Sequence, residues 1–466
     1  MPVLLEALFA GQRQAFGRQP FPDAATRIDR LRRLETLVRE SADEWAAAIS
    51  RDFGSRSRHE SQLLEIFPSL EAIRHARRHV RRWMRPERRA TSLWFLPGTS
   101  EVFPQPLGVV GIVVPWNYPL YLAIGPLVAA LAAGNRAMVK MSEATPATGE
   151  LLASLAARHF DAGELAVVNG GPDLAQAFCR LPFDHLLFTG STAIGRQVMK
   201  AAAENLTPVT LELGGKSPAI VGAGFDPAEA ASRILYGKCL NAGQTCIAPD
   251  YALVPAGSVE AFVDAARRTV ASLYPSLAAN PDYTAIVDAR HRERLARLLR
   301  DATDKGARAI EINPAGESLA GSGKVAPTLL TGVSDAMAVM REEIFGPILP
   351  VVAYGDLEEA IDFVNARPRP LALYVFEHDR ESADRVIRET VSGGVTVNET
   401  FLHIAQDELP FGGVGESGMG RYHGREGFAT FSQSKAVFRQ SRLNGLKLFR
   451  APYGARFERF VRLLLR

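Results

Sequence analysis

The 466-residue chain has little cysteine: Cys179, Cys239 and Cys246 are its only thiols, and no Cys-x-x-Cys pair occurs. Three thiols cannot form a disulfide framework across a chain of this length, and at these spacings they do not form a zinc site. The sequence therefore predicts no bound metal, and it indicates a reducing compartment such as the cytoplasm.

An excess of one charge is also missing. The formal net charge at pH 7 is only +3, from 54 Lys and Arg against 51 Asp and Glu. This balance argues against a protein whose main partner is a nucleic acid. With 47% hydrophobic and 23% charged residues, the composition is typical of a folded protein of two or three domains.

A membrane-crossing helix is not expected either. The N-terminal residues lack the basic start of a secretory signal, and Glu6 interrupts their apolar run. Residues 102–135 carry no charge and are long enough to span a bilayer, but five prolines interrupt them. With these interruptions the segment predicts a buried strand over 109–114, a tight loop, and a buried helix over 120–133.

Short β-rich runs alternate with helical stretches from residue 109 onward, after a charged helical leader over residues 1–84. Such alternation is typical of βαβ units with a mostly parallel, twisted sheet. After residue 223 a second series follows, with a predicted helix near 227–240 and strands near 251–254, 326–330, 348–353, 372–376 and 394–398. The sequence therefore predicts an α/β protein with two tightly packed domains and a cleft between them.

Two basic segments need an interpretation. Residues 74–89 favour a solvated helix face, with a phosphate-binding face as the alternative. Glu60, Glu65 and Glu71 are expected to offset part of this charge from one turn away. Residues 455–466 predict a basic amphipathic helix that either docks on the protein's own subunits or associates with a membrane surface. Its apolar side is formed by Phe457, Phe460, Val461, Leu464 and Leu465, and its basic side by Arg456, Arg459, Arg462 and Arg466.

Cys246 lies in the segment NAGQTC, where Ala242 and Gly243 leave room for another molecule to approach the thiol. A thiolate can add to a carbonyl carbon, but a free thiol is mostly protonated at neutral pH and needs a base. No histidine lies in the local sequence. A small buried hydrophobe is the alternative role for this cysteine.

Two polar residues near strand ends could serve such a thiol. Glu212 lies in the alternating strand VTLEL, just before two glycines, and a carboxyl in an apolar cleft has a raised pKa that suits a general base. Asn117, clamped between Pro115 and Pro119, could donate its amide to a developing oxyanion. A solvent-facing glutamate and an Asx turn are the alternatives.

A nucleotide site is indicated by weaker signals. The segment HLLFTGSTAIGRQVM predicts a strand, a turn from Gly190 and Ser191 to Gly195, and a helix whose N-terminus could hold a pyrophosphate. The spacing is not the G-x-G-x-x-G fingerprint. Lys140 and Glu143 also follow a strand and could hydrogen-bond ribose hydroxyls, although charged residues at such places are usually solvated.

Seven segments together resemble the aldehyde dehydrogenase superfamily, in the order seen there and over nearly the whole chain: PWNYP, VKMSEATP, FTGSTAIG, LELGGKSP, GQTC, EEIFGP and PFGGVGESGMGRYHG. Within it the chain is most similar to the class 3 branch and its bacterial coniferyl aldehyde dehydrogenases. The resemblance implies a Rossmann-like cofactor-binding domain (residues 1–84 and 108–212), a second α/β catalytic domain (213–412), and an oligomerisation arm with a C-terminal tail (85–107 and 413–466).

The resemblance also implies a mechanism. Cys246 would attack the aldehyde to give a thiohemiacetal, whose oxyanion the Asn117 amide and the Cys246 backbone N–H would hold. Hydride would pass to a nicotinamide, and Glu212 would activate the water that hydrolyses the thioester to a carboxylic acid. The implied cofactor contacts are Trp116, Lys140, Glu143, Gly190, Ser191, Gly195, Glu343 and Phe345.

NAD is the expected cofactor, because Glu143 would repel the 2′-phosphate of NADP, whereas Lys140 could partly accommodate it and keeps NADP as an alternative. The expected partner is a second copy of the chain. The expected substrate is coniferyl aldehyde or another aromatic or medium-chain aldehyde, bound in an apolar tunnel lined by Tyr118, Tyr121, Phe401 and His403.

Other activities remain open at this stage. A broad-specificity aliphatic aldehyde dehydrogenase would use the same residues. A CoA-acylating dehydrogenase would pass the acyl group to a thiol, and Glu212 argues for water instead. A cysteine hydrolase would share the nucleophile and the oxyanion donor, but it would need no nucleotide.

Overall fold

The computed structural model describes residues 2–446 and 450–465. The helices are α1 (Pro2–Arg18), α2 (Ala24–Glu40), α3 (Ala42–Phe53), α4 (Arg58–Ser61), α5 (Phe67–Trp83), α6 (Tyr121–Ala133), α7 (Pro146–His159), α8 (Pro172–Cys179), α9 (Thr192–Ala203), α10 (Pro227–Cys239), α11 (Val259–Leu273), α12 (Ala289–Asp304), α13 (Ala338–Arg341), α14 (Leu357–Asn365), α15 (Arg380–Glu389), α16 (Gly424–Thr430) and α17 (Ala455–Leu464). A π-helical turn, Gln62–Ile66, joins α4 to α5.

The strands are β1 (Glu87–Arg89), β2 (Thr99–Pro106), β3 (Val109–Val113), β4 (Arg136–Lys140), β5 (Leu165–Val168), β6 (His185–Gly190), β7 (Val209–Leu213), β8 (Pro218–Val221), β9 (Tyr251–Pro255), β10 (Arg308–Glu311), β11 (Thr328–Thr331), β12 (Ile348–Tyr354), β13 (Ala372–Phe376), β14 (Gly394–Val397), β15 (Gly418–Met419) and β16 (Ser432–Arg439).

Across the described residues these strands form three sheets. The first has the order β15-β7-β6-β3-β4-β5 and is parallel except for β15. The second has the order β10-β11-β12-β9-β8-β13-β14 and is parallel except for β10. The third, β1-β2-β16, is antiparallel. The predicted α/β class with two mostly parallel sheets is confirmed.

The charge-free segment folds as a buried strand and a buried helix. Every residue of β3 and of α6 is buried, which explains why apolar side chains occur all round the helix. Helix α6 ends at Ala133 and is capped by Gly134, whose positive φ of 98° permits the left-handed cap. In the part of the chain that the structure describes, no helix has both the length and the apolar character needed to cross a membrane.

The strand order of the first sheet determines where a ligand can bind. From β3 the chain goes to β4 and β5 on one side, and then to β6 and β7 on the other side. The order reverses between β3 and β6, where loops leave in opposite directions and open a crevice at the carboxyl ends of the strands. Asn117, Lys140, Gly190 and Glu212 lie at or just after the carboxyl ends of β3, β4, β6 and β7.

The arm and tail form the third sheet, with one exception. Strand β2 pairs with β16 from Thr99–Pro106 to Ser432–Arg439. Gly418 and Met419, which the sequence interpretation assigned to the tail, instead pair with β7 in the first sheet, and Gly418 lies opposite Glu212. In α17, Phe460 packs edge-on against Trp94 at 6.0 Å between ring centroids. Arg466, predicted on the basic side of this helix, lies outside the described residues.

The basic segment over residues 74–89 is not one helix, because it is divided between α5 and β1. Glu71 contacts Arg74 at 2.7 Å, as the spacing predicts. The expectation for Glu60 and Glu65 is wrong, since both side chains are buried and contact interior partners. Glu35 of α2 takes their place and contacts Arg74 at 3.2 Å.

Candidate active site

The Cys246 loop is held in an unusual backbone conformation. It follows the 3-10 turn Leu240–Gly243, in which Asn241 and Ala242 have positive φ values of 51° and 50°. Such values are costly for residues other than glycine and persist only where the surroundings hold them. The space beside Gly243 is filled by protein, because a Cβ there would collide with the backbone of Gly346. The sequence interpretation gave this space to an approaching ligand, and that was wrong.

The Cys246 thiol is half-buried and lies in the field of two carboxyl groups. Burial raises its pKa, and Glu343 and Glu212 raise it further. The backbone N–H groups of Cys246 and Ile247 act in the opposite direction. A thiol in this environment needs a base before it can act as a nucleophile. Burial raises the pKa of the Cys179 thiol to about 11 and that of the Cys239 thiol to about 12.

Glu212 is 3% exposed, in strand β7. Neither of its carboxyl oxygens has a hydrogen-bond partner among the described residues. Burial raises its pKa well above the ordinary value. A buried polar group without a partner is destabilising, and in a cleft it is typical of a group that acts on a bound molecule.

Glu343 reaches the same place from the loop between α13 and β12. Its Oε1 atom is buried without a partner among the described residues, and the carboxyl accepts the backbone N–H of Gly215. A Cβ at Gly214 would collide with this carboxyl in its present position, so the glycine leaves room for the close approach. Burial and the charge of Asp250 raise the pKa of Glu343 to about 8.

Asn117 is 3% exposed in the loop after β3. Its Nδ2 donates to the carbonyl oxygen of Gln244 at 3.1 Å, two residues before Cys246. Its own carbonyl oxygen accepts from the Arg56 guanidinium at 2.8 Å and from the Asn241 side chain at 3.0 Å. The amide is therefore held beside the Cys246 loop, where a developing oxyanion would need a donor.

An aromatic cluster joins the two predicted cofactor residues Trp116 and Phe345. Their rings contact edge-on at 5.3 Å between centroids. Phe345 has a positive φ of 52°. His291, which the sequence did not indicate, contacts Trp116 at 4.8 Å. The loops that carry Trp116 and Phe345 therefore meet directly, one from each of the two large sheets.

Helix α9 begins with an exposed N-terminus at the end of β6. Ser191 caps it by accepting the backbone N–H of Ile194 at 3.4 Å, and Ile194 is 54% exposed. A Cβ at Gly195 would collide with the side chain of Leu213, so this glycine lets the helix pack closely on β7. Free backbone N–H groups and the helix dipole make such an N-terminus fit a pyrophosphate.

Lys140 and Glu143 contact each other. The Lys140 side chain is 2% exposed, its Nζ donates to the Met141 carbonyl oxygen at 2.6 Å, and it lies 3.7 Å from the Glu143 carboxylate. Burial lowers the pKa of Lys140, and Glu143 opposes that shift. The Glu143 side chain is 52% exposed, so its carboxylate has room to accept a hydrogen bond from a ligand.

Tyr422 is a residue that the sequence reasoning missed. It is fully buried, and its hydroxyl has no hydrogen-bond partner among the described residues. Burial raises its pKa, and Tyr121, Glu212 and Cys246 raise it further. Besides the Glu343 carboxyl, a further unpartnered polar group therefore lies in the field of the thiol and the Glu212 carboxyl. Nothing local in the segment GRYHG distinguishes this tyrosine from a core aromatic.

These positions fit a nicotinamide dinucleotide. The N-terminus of α9 suits the pyrophosphate, and the Lys140–Glu143 pair suits ribose hydroxyls. Trp116 and Phe345 offer aromatic surface, and the unpartnered oxygen of Glu343 offers an acceptor in the field of the thiol. The arrangement can therefore bring a bound cofactor, a nucleophile and a base together in one cleft.

Comparison with known proteins agrees with this geometry. The sequence profile of the aldehyde dehydrogenase family matches residues 6–437. A probable coniferyl aldehyde dehydrogenase of Pseudomonas aeruginosa is 55% identical over 457 residues, which are 98% of this chain and 95% of that protein. The substrate-bound structure of Staphylococcus aureus AldH has a TM-score of 0.93 at 38% identity and covers 99% of both chains.

A more distant solved structure contains a cofactor. It is the indole-3-acetaldehyde dehydrogenase of P. syringae in complex with NAD+, with a TM-score of 0.86 at 28% identity. The match covers 94% of this chain and 89% of that one. The chain therefore belongs to the aldehyde dehydrogenase family and is an NAD(P)-dependent oxidoreductase that acts on the aldehyde group.

Proposed function

We propose that Cys246 is the nucleophile, that the Asn117 amide and the Cys246 backbone N–H hold the oxyanion, and that Glu212 is the general base. One observation supports these roles most. Glu212 is close enough to the half-buried Cys246 thiol to raise its pKa, and the Asn117 side chain donates to the carbonyl of Gln244, two residues before Cys246. Nucleophile, base and oxyanion donor thus come from three separate segments of the chain.

The thiol acts first. It loses its proton to water, and Sγ bonds to the aldehyde carbon while the carbonyl oxygen becomes an oxyanion. The Asn117 amide exchanges its Gln244 acceptor for this oxygen and stabilises the negative charge. When bound, NAD(P) accepts the hydride that leaves the tetrahedral carbon, so that a thioester remains on Cys246.

Glu212 acts in the second half of the reaction. In its carboxylate form it takes a proton from water, and the water oxygen attacks the thioester carbon. The carboxylic acid leaves, and the thiol is restored. The raised pKa of Glu212 makes it a stronger base than an exposed glutamate, because its charged form is poorly solvated.

The test of these roles is Cys246→Ser. It should abolish the aldehyde-dependent reduction of NAD, measured as absorbance at the nicotinamide band, because a serine hydroxyl lacks a comparably acidic proton. Cys179→Ser, at a thiol in a separate buried cluster, is the matched control and should keep turnover within about twofold, as expected for a change away from the reacting atoms. Full turnover by Cys246→Ser would overturn the proposal.

Coniferyl aldehyde or another aromatic aldehyde is the proposed substrate. The support is the identity to a relative named for that aldehyde and the aromatic residues near the thiol. The Tyr118 hydroxyl shares a hydrogen bond with the Thr245 hydroxyl at 2.7 Å, next to Cys246, and Phe401 is half-buried.

The other two residues predicted to line the tunnel have partners in the interior. The Tyr121 hydroxyl lies 3.3 Å from a ring nitrogen of His423. His403 is buried and shares a hydrogen bond with the Thr396 hydroxyl at 2.8 Å.

A panel of coniferyl aldehyde, benzaldehyde, hexanal and acetaldehyde should give the highest kcat/KM for coniferyl aldehyde. A higher value for hexanal would favour the aliphatic alternative, and acyl-CoA formation on adding CoA would favour the acylating one.

NAD is the proposed preferred cofactor. The Glu143 carboxylate would repel a 2′-phosphate, and Lys140 is already held by the Met141 carbonyl and by Glu143. We expect kcat/KM to be higher for NAD than for NADP. An equal or higher value for NADP would contradict this preference.

A homodimer in the cytoplasm is the proposed working state. The third sheet and the turn between β1 and β2 present exposed apolar side chains, Phe438 in β16 and Leu93 and Trp94 in the turn, and exposed apolar surface of this kind marks interaction sites. Docking of α17 on the arm through Phe460 supports an association with the protein's own surface rather than with lipid. The cytoplasm is proposed because Cys246 must stay reduced to act.

A further inference from the structure

We infer that Arg56 and Glu65 form a buried pair that positions the oxyanion donor Asn117. This inference rests on the proposed role of Asn117. Arg56 lies between α3 and α4, and Glu65 lies in the π-helical turn before α5. Both side chains are 0% exposed and their charged atoms are 2.9 Å apart. Arg56 bonds to the Asn117 carbonyl, so the pair is inferred to act through Asn117.

The Arg56 guanidinium is held by one nitrogen and by two aromatic rings. Its Nη1 donates to the Asn117 carbonyl oxygen at 2.8 Å and contacts Glu65. Its Nε and Nη2 have no hydrogen-bond partner in the described part of the chain. Instead the guanidinium carbon lies 4.9 Å from the Phe53 ring centroid and 4.8 Å from that of Tyr118. Two aromatic faces thus stabilise the cation and limit its movement.

Glu65 ties this cation to the start of α6. Its second carboxylate oxygen accepts the backbone N–H groups of Leu120 at 2.8 Å and Tyr121 at 3.2 Å. Without Glu65 these N–H groups would lack an acceptor within the helix, and a negative charge is favourable at a helix N-terminus. The segment from Asn117 to Tyr121 is therefore held at both ends, by Arg56 at the first residue and by Glu65 at the last.

A second hydrogen bond links this segment to the nucleophile loop. Asn241 donates its side-chain amide to the Asn117 carbonyl at 3.0 Å and to the Gln244 carbonyl at 3.2 Å. Glu60 accepts the Asn241 backbone N–H at 3.1 Å. The Asn117 peptide is therefore held by Arg56 from one side and by the Cys246 loop from the other.

The consequence concerns the direction of the Asn117 side chain. In this structure its Nδ2 donates to the Gln244 carbonyl, two residues before Cys246 in the same loop, so the orientation of the Asn117 peptide sets where this amide points relative to the thiol. A rotated peptide would misdirect the amide. A misplacement of about 1 Å can cost about 100-fold in rate, and loss of one oxyanion donor costs about 100- to 1,000-fold.

The test is a double-mutant cycle. Arg56→Met with Glu65→Gln removes both charges together, which avoids leaving one buried charge unpaired. In the full-length enzyme we expect kcat to fall by about 10- to 100-fold, while KM for NAD changes by less than about twofold, since no cofactor contact is lost. In an Asn117→Ala background the same change should lower kcat by less than about threefold, because coupled residues are not additive.

A matched control is available in the same part of the chain. Arg30 and Glu164 form another ion pair at 2.8 Å, with the Arg30 side chain 1% exposed, and neither contacts the site residues. Arg30→Met with Glu164→Gln should lower the stability of the fold, measured by urea unfolding, but keep kcat within about twofold. Arg56→Lys, which keeps the charge, should restore part of the lost kcat and serves as the cycle's variant if the double substitution folds poorly.

Two results would overturn the inference while leaving the proposed role of Asn117 intact. One is an unchanged kcat in the Arg56→Met, Glu65→Gln enzyme. The other is an equal loss in the presence and absence of Asn117, which would show a general structural effect. Full activity of Asn117→Ala alone would contradict the proposed oxyanion role itself, and with it this inference.

Discussion

Glu212 and Glu343 lie in the field of the same thiol, but their surroundings differ. Glu212 has no hydrogen-bond partner among the described residues, and burial raises its pKa. Glu343 accepts one backbone N–H and has the charge of Asp250 nearby, and its pKa is raised to about 8. A carboxyl without protein partners is free to act on a water, whereas a partnered one is held in place. This difference supports the proposed base role of Glu212.

Glu212→Gln should therefore stop the reaction after hydride transfer. We expect one burst of reduced cofactor per site, a thioester on Cys246 detectable by mass spectrometry, and a kcat lowered by about 100- to 10,000-fold. In the wild-type enzyme thioester hydrolysis should rise with pH as Glu212 loses its proton above its ordinary range. The variant should lose this rise.

Glu204→Gln, at an exposed residue after α9, is the control for that experiment. It should keep the steady-state rate and the pH profile of the wild-type enzyme. A Glu212→Gln enzyme that turns over at the wild-type rate, or that shows no burst, would contradict the assignment of the base.

Glu343→Gln tests the raised pKa through stability. In the folded chain the pKa is about 8, and in the unfolded chain it returns to about 4.3. Between these values the folded state binds more protons, so the free energy of unfolding falls as pH rises, by at most about 1.4 kcal/mol per pH unit. The glutamine side chain of the variant cannot ionise, so this fall in the free energy of unfolding with rising pH should be absent.

Urea unfolding at pH 5, 6, 7 and 8 measures this effect. The stability difference between variant and wild type should grow in favour of the variant toward pH 8. Glu342→Gln, the same change at the next residue, whose side chain is 42% exposed, should leave the pH slope as it is. Parallel pH curves for Glu343→Gln and the wild-type chain would show that the Glu343 pKa is not raised.

At the scale of elements, the end of β6 and the start of α9 form the expected pyrophosphate site, and Gly195 sets their spacing. Gly195→Ala would push against Leu213, the residue after Glu212 in β7. The helix must then move away from the sheet, and its N-terminal N–H groups move with it. We expect KM for NAD to rise by about tenfold, equivalent to about 1.4 kcal/mol, with little change in KM for the aldehyde.

Gly171→Ala is the matched control. Gly171 lies at the N-terminus of α8, and a Cβ there would meet no atom within 4 Å. It should leave both KM values unchanged. An unchanged KM for NAD in Gly195→Ala would show that the position of α9 does not affect cofactor binding.

Elements with a uniform apolar pattern could be predicted closely from the sequence. Strand β13 has the predicted limits, residues 372–376. A short run that is buried on both faces and bounded by turns must pair its backbone N–H and C=O groups with neighbouring strands. Helix α6 begins one residue later than predicted and ends at residue 133 as predicted. The division between the cofactor-binding and catalytic domains remains a prediction. Strand β7, which ends at Leu213, and the next strand β8 belong to different sheets.

Contacts between distant loops could not be predicted. Arg56 bonds to Asn117, 61 positions away, and Gly243 packs on the loop of Gly346. No periodicity or spacing indicates such a contact, because it depends on how the two large sheets are placed. The strand ends that carry Glu212 and Asn117 could be found, since their signals are local. The catalytic roles themselves stay predictions.

At the scale of the whole molecule, the cleft is built by both large sheets and locked by an ion pair. The Lys216 ammonium contacts the Asp250 carboxylate and donates to the Val339 carbonyl at 2.8 Å. Asp250 also accepts the backbone N–H of Ile344 at 2.9 Å. The loop that carries Glu343 is therefore tied to the turn that follows Glu212, and the two halves of the site have a fixed separation.

The exposed Leu93 of the arm lies where a second copy of the chain is proposed to pack. Leu93 is 76% exposed in a single chain, and burying such a side chain contributes about 1.5–3 kcal/mol. If the arm packs on a second copy, Leu93→Asp replaces this gain with an unpaired charge in an apolar contact. The dissociation constant should then rise by at least about 100-fold, equivalent to about 2.8 kcal/mol, and sedimentation velocity at micromolar concentration should show the variant as a monomer.

Leu206→Asp is the matched control for the arm, because Leu206 is 90% exposed and lies outside the third sheet. It should sediment as the wild-type chain does. Circular dichroism should show the same helix content for both variants, since neither side chain contributes to the core. A dimer that persists in Leu93→Asp, or a wild-type chain that sediments as a monomer, would mean that this apolar surface does not hold two copies together.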